Sequence, residues 1–85
     1  MKRIAVICAI LEEPGLSWQQ FNETISASKT IVRGRLGIPF KDEGIGVVAL
    51  TVIGGLDEIN TLTGKLGNIP HVQVKTAISK KEVAL

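Results

Sequence analysis

The sequence of 85 residues holds one cysteine, one histidine, three prolines and no tyrosine. A lone Cys8 forbids an intrachain disulfide and fits a reducing compartment. A structural zinc site needs about four nitrogen or sulfur ligands. Cys8 and His71 cannot supply them, so no metal or other cofactor is expected. One His and no Tyr leave no Ser-His-Asp or Cys-His set to assemble. The acidic pairs Glu12-Glu13, Asp42-Glu43 and Asp57-Glu58 are each adjacent in sequence. Neighbours rarely converge on one substrate atom, so these read as solvated turns and helix starts rather than acid/base pairs. The chain is therefore not expected to be an enzyme.

Long hydrophobic runs are also missing. The longest, Ile4 to Leu11, spans 8 residues, far short of the ~20 of a membrane span. Lys2 and Arg3 before it imitate a signal peptide, but Glu12, Glu13 and Pro14 follow where the apolar core should continue. A cytoplasmic location is the expectation. Net charge is only +2. Lys2, Arg3, Lys80 and Lys81 carry the excess; between Ile4 and Ser79 there are 6 basic and 7 acidic residues, a balance of −1. That is a weak footprint for a nucleic-acid partner.

Apolar residues, by contrast, are plentiful. Hydrophobic residues make up 45% and 19 positions are Ile or Val, which excludes intrinsic disorder. A 9.1 kDa chain folds as one small domain that buries only a little over ~60% of its surface. This one has more apolar surface than a small monomer hides easily. A partner is expected, most simply a second copy.

Along the chain, Ile4–Leu11 reads as a strand apolar on both faces. Ser17 with Gln20 matches a capping box, and Trp18, Phe21 and Ile25 follow at helical spacing, predicting a helix over Ser17–Ser28. Ile31–Ile38 predicts a second strand, with Val32, Gly34, Leu36 and Ile38 on one face and Ile31, Arg33, Arg35 and Gly37 on the other. Pro39–Gly44 reads as a polar connection and Ile45–Ile53 as a third strand. Leu56–Leu66 predicts a helix with a stripe of Leu56, Ile59, Leu62 and Leu66. Asp57 and Glu58 suit the start of that helix dipole and Lys65 its end. Val72–Ile78 predicts the last strand, and residues 79–85 a flexible tail.

The order β-α-β-β-α-β is that of the ferredoxin-like split fold, an α+β two-layer sandwich. Its antiparallel sheet order is 4-1-3-2. The first and third strands are apolar on both faces, as central strands should be; the second and fourth alternate with charges, as edges should. One domain over residues 1–78 results. One sheet face stays free of helices. It carries Ala5, Ile7, Ala9 and Leu11, or else Ile4, Val6, Cys8 and Ile10; either set is too apolar to stay wet. Self-association through this face or a sheet edge is expected.

Several motifs dissolve in context. Gly44-Ile45-Gly46-Val47-Val48-Ala49 fits G-x-G-x-x-A but opens a strand, not a helix. Gly64-Lys65 lacks the following Ser/Thr of a phosphate loop. Gly34-Arg35-Leu36-Gly37 and Gly64-Lys65-Leu66-Gly67 fit GXXG, yet each lies beside a strand rather than between helices. His71 reads as a loop residue and Cys8 as a buried structural thiol. Arg33 and Arg35 would share a face roughly 7 Å apart, with Lys75 on that face too, and could clamp a carboxylate or phosphate. The turn around Glu13, Pro14 and Gly15 is the other candidate, because a helix start exposes amides.

A family resemblance rests on Arg33-Gly34-Arg35-Leu36-Gly37-Ile38-Pro39-Phe40, Asp57-Glu58-Ile59, Leu62-Thr63-Gly64-Lys65-Leu66-Gly67 and Val72-x-Val74-Lys75-Thr76. With these segments the chain resembles the iron-only hydrogenase system regulators from about Lys2 to Ile78. That family is similar to ACT domains and to the C-terminal domain of the nickel-responsive regulator. The resemblance implies an ACT-like fold, a symmetric homo-oligomer (dimer or tetramer) and a regulatory module that binds a small anionic ligand or a protein partner. By analogy with ACT domains, the ligand would sit near Glu13-Pro14-Gly15 at a subunit interface. The His and Cys residues of the nickel site are absent, so nickel binding does not carry over. Arg3 leads straight into the first strand, so no DNA-binding domain and no direct DNA contact are expected. A small dimeric-barrel enzyme acting on an unknown small molecule is the alternative.

Overall fold

Strict alternation in the first strand, β1 (Arg3–Glu12), settles which of its two apolar sets is inward. Ala5, Ile7, Ala9 and Leu11 are buried, while Val6, Cys8 and Ile10 are exposed on the opposite face. The computed structural model describes all residues from Met1 to Leu85. After β1 come α1 (Pro14–Ala27), β2 (Val32–Phe40), a 3-10 turn (Lys41–Glu43), β3 (Ile45–Gly54), α2 (Leu56–Gly67) and β4 (Val72–Ile78). The sheet is antiparallel in the order β2-β3-β1-β4, which is the ferredoxin-like arrangement with β1 and β3 central.

Both helices lie on one face of this sheet. Phe21 and Ile25 of α1, with Ile59, Leu62 and Leu66 of α2, meet Ile7, Leu11, Val48, Leu50 and Val52 in a single core. The Thr63 and Thr76 hydroxyls, 2.9 Å apart, tie α2 to β4. Each buried aliphatic side chain contributes roughly 1.5–3 kcal/mol over its exposed state. The β2–β3 turn closes through Gly44 at φ 66°, a left-handed position that glycine takes at no steric cost.

Four local expectations need correction. The helix α1 starts three residues before Ser17: Pro14 is its first residue, and Glu13 caps it in the left-handed region. Proline's fixed φ suits that position and displaces the start upstream. Ser17 is then helix interior, buried and without a hydrogen-bond partner, so no capping box forms there. The side-chain cap lies on α2 instead, where Glu58 Oε1 accepts from the Gly55 amide at 2.9 Å. Next, β2 runs on through Pro39 to Phe40, because an edge strand tolerates a missing N–H.

The third correction concerns faces. A bulge between Val32 and Gly34 inserts Arg33 as an extra residue. It turns Val32 toward the core while Gly34, Leu36 and Ile38, paired with Thr51, Ala49 and Val47, stay on the helix-free face. Strict period-2 reading cannot see such an insertion. Last, Cys8 is exposed rather than buried, because the helix-free face has no cover. Residues beyond β4 fold back on β1: the Lys2 and Val83 backbones exchange hydrogen bonds of 3.2 and 2.8 Å, and Ser79 donates to Ile4 O at 2.8 Å. Arg3 reaches Glu82 at 3.5 Å.

Candidate functional site

Backbone irregularity concentrates where β1 ends and β3 and β4 begin. Glu13 (φ 54°), His71 (φ 68°) and Gly44 are the left-handed residues of the chain. The Glu12 amide donates to His71 O at 2.8 Å, so the two non-glycine cases sit on adjacent connections. A non-glycine residue in this region costs roughly 1–2 kcal/mol, and such positions cluster at ligand clamps and active sites.

At the same end a cleft of about 190 Å³ opens between α1 and the β2–β3 turn. Pro14, Gly15 and Trp18 form one wall; Pro39, Ile45 and Gly46 form the other, with Lys41 at the rim. The lining is almost wholly apolar. Leu16 donates to Glu13 O at 2.9 Å, and no acidic residue occupies the first turn of α1. The cap residue Glu13 itself brings an acidic group to the positive dipole end of α1, and Lys41 is the cation of the cleft lining.

Trp18 connects this cleft to β2. Its ring stacks on Phe21 with centroids 5.8 Å apart, and the Arg35 guanidinium lies 5.6 Å from its centroid. Arg35 also donates to Asn22 Oδ1 at 2.7 Å. A cation over an indole is worth about 0.5–1 kcal/mol at an exposed site. Sequence reasoning placed Trp18 in the core stripe and missed this role, although a lone Trp three residues past Gly15 was visible.

Of the sequence candidates, Pro14 and Gly15 line the cleft, and Glu13 forms the strained cap beside it. Arg35 comes to the cleft's margin through Trp18. Arg33 stands exposed on the bulge. Lys75 is not their neighbour: it pairs with Cys8 on the helix-free face, whereas Arg35 pairs with Leu50 on the helix side. The expected three-cation face does not form. A second, wider hollow of about 290 Å³ lies between the end of α1 and the start of α2, lined by Ser28, Thr30, Asp57, Glu58 and Thr61 among others. It touches none of the candidate residues, and its Glu58 is already engaged as the α2 cap. Nowhere do three His, Cys, Asp or Glu side chains converge as a metal site would need, and no helix is long and apolar enough to cross a membrane.

Comparison with known proteins adds four findings. No curated protein matches the chain in sequence. Among solved structures, the uncharacterized protein TM1266 from Thermotoga maritima superposes with a TM-score of 0.89 at 30% identity, covering 94% of this chain and 100% of that one. The C-terminal domain of the MgtC protein from Mycobacterium tuberculosis superposes with a TM-score of 0.62 at 17% identity, covering 98% and 94%, and shares the fold. The family model described as TM1266-like, iron-only hydrogenase system regulator, matches residues 3–76. Sheet order, helix placement and nearly full-length agreement meet in one conclusion: the chain belongs to the TM1266-like family of iron-only hydrogenase system regulators.

Proposed function

We propose that the protein is a homo-oligomeric regulatory module that acts by binding a small ligand or a protein partner, without chemistry of its own. The observation that carries this reading is the apolar surface left on the helix-free face and β2: Val6, Ile10, Leu36, Ile38 and Phe40 are between 38% and 64% exposed. Patches of that kind on a small domain mark interaction sites. The ligand site in this reading is the cleft at Glu13, Pro14 and Gly15, with Trp18 as its stacking wall, Lys41 in its lining and Arg35 at its margin; Arg33, on the bulge at the far end of β2, stands outside it. An apolar body carrying one anionic group suits such a lining: Trp18 and the prolines take the body, and Lys41 takes the charge.

Native mass spectrometry of the protein purified from its own host tests both parts at once. The expected spectrum shows a multiple of the 9.1 kDa chain with an added small mass that disappears in the Trp18→Ala protein. A bare monomer at micromolar concentration would sink the proposal.

A further inference from the structure

One side chain joins the two walls of the cleft. Pro14, Gly15 and Trp18 stand on α1, whereas Pro39 stands on β2, with Ile45 and Gly46 beyond the turn. Arg35, four residues before Pro39 on the same strand, reaches across to α1. Its guanidinium lies 5.6 Å from the Trp18 ring centroid and donates to Asn22 Oδ1 at 2.7 Å. Trp18 and Asn22 are four residues apart, so they share one face of the helix. The Arg35–Asn22 bond is the one side-chain hydrogen bond between α1 and β2. We infer that Arg35 is the positioning residue of the cleft: it holds the Trp18 indole in place as a wall and clamps α1 to β2, setting the width a ligand meets. This rests on the cleft being the ligand site and names what keeps that site in shape.

Both walls need such a clamp. β2 is an edge strand with β3 as its one neighbour, and every residue from Arg33 to Phe40 is exposed. The core therefore holds little of the strand that carries Pro39. Trp18 is 38% exposed, whereas Phe21 is wholly buried. The indole packs on Phe21 with centroids 5.8 Å apart and planes 26° off parallel. Its open flank leaves other staggered rotamers within reach, and Arg35 is the contact that selects among them.

Arginine suits the task better than lysine. A planar guanidinium stacks on an aromatic ring and still aims its N–H fork at an acceptor in its own plane. Asn22 receives that fork and fixes the guanidinium against the indole. No carboxylate diverts Arg35, because the chain's one ion pair joins Arg3 to Glu82. Its acceptor is a neutral amide, so the clamp leaves a full positive charge at the margin of the cleft.

Trp18 supplies its own readout. It is the only tryptophan and the chain has no tyrosine, so the tryptophan bands of the near-ultraviolet circular dichroism report this one indole. Arg35→Ala should lose half or more of that signal while the far-ultraviolet spectrum stays unchanged. Asn22→Ala touches neither the ring nor the cleft lining, yet should move the same bands in the same direction. The double variant should match Arg35→Ala alone, as expected of two residues that act as one device. Binding is read with anilinonaphthalene sulfonate, an apolar body with one anionic group. Arg35→Ala and Asn22→Ala should each weaken it about two- to fivefold, the range of an exposed cation–π contact. Lys41→Ala should weaken it too, with the Trp18 bands unmoved. Unchanged bands in Arg35→Ala would overturn the inference. So would probe affinity lost in Lys41→Ala but kept in both clamp variants. Altered bands with an affinity indifferent to all three substitutions would remove the cleft as the ligand site and leave the hold on Trp18 standing.

Discussion

At the scale of single residues, Ser17 shows how a strong local signal can be outvoted. Its hydroxyl is 2% exposed and unpartnered because Pro14 starts the helix one turn early and turns Ser17 into the core. Burying a hydroxyl without a partner costs roughly 1–3 kcal/mol, and alanine is also the better helix former. Ser17→Ala should therefore raise the urea midpoint, by about 1 kcal/mol of stability at unchanged m-value. A loss of stability would mean the hydroxyl has a partner. The same residue measures what was legible. Phe21 and Ile25 were readable as core from spacing alone. Ser17 and Cys8 were not, since their burial depends on where a helix starts and which face it covers.

Elements were easier to read than their ends. All four strands and both helices follow from periodicity, and β4 matches to the residue. Sheet order followed from which strands are apolar on both faces. The bulge at Arg33 left no trace in the alternation of Ile31–Ile38, because Val32 and Leu36 are apolar whichever face they take. It separated Lys75 from the arginines and moved the candidate site toward Trp18. The cap of α2 was foreshadowed by Glu58 in its first turn. Glu58→Ala frees the Gly55 amide that now donates to Oε1 at 2.9 Å, and should cost about 1 kcal/mol, within the usual range for a lost cap. Asp57→Ala, whose side chain makes no such bond, should cost less than half as much in the same urea titration.

For the whole molecule the main fact is an asymmetry of the sheet, with one face packed and the other wet. If the open surface is covered by a second copy, folding and association are linked, and the thermal midpoint must rise with protein concentration. A scan from 1 to 100 µM (a hundredfold, worth about 2.7 kcal/mol by mass action) should move the wild-type midpoint by several degrees. An unmoved wild-type midpoint would count against linkage. The central position of β1 has a consequence for biosynthesis. Both of its neighbours come later in the chain: β3 begins at Ile45 and β4 at Val72. At about 5–20 residues per second, β1 leaves the ribosome roughly 3–12 s before its second flank exists. For that interval Ile4–Leu11, the most apolar segment of the protein, has nowhere to go. The nascent chain is thus most prone to aggregate at its start until its last strand arrives.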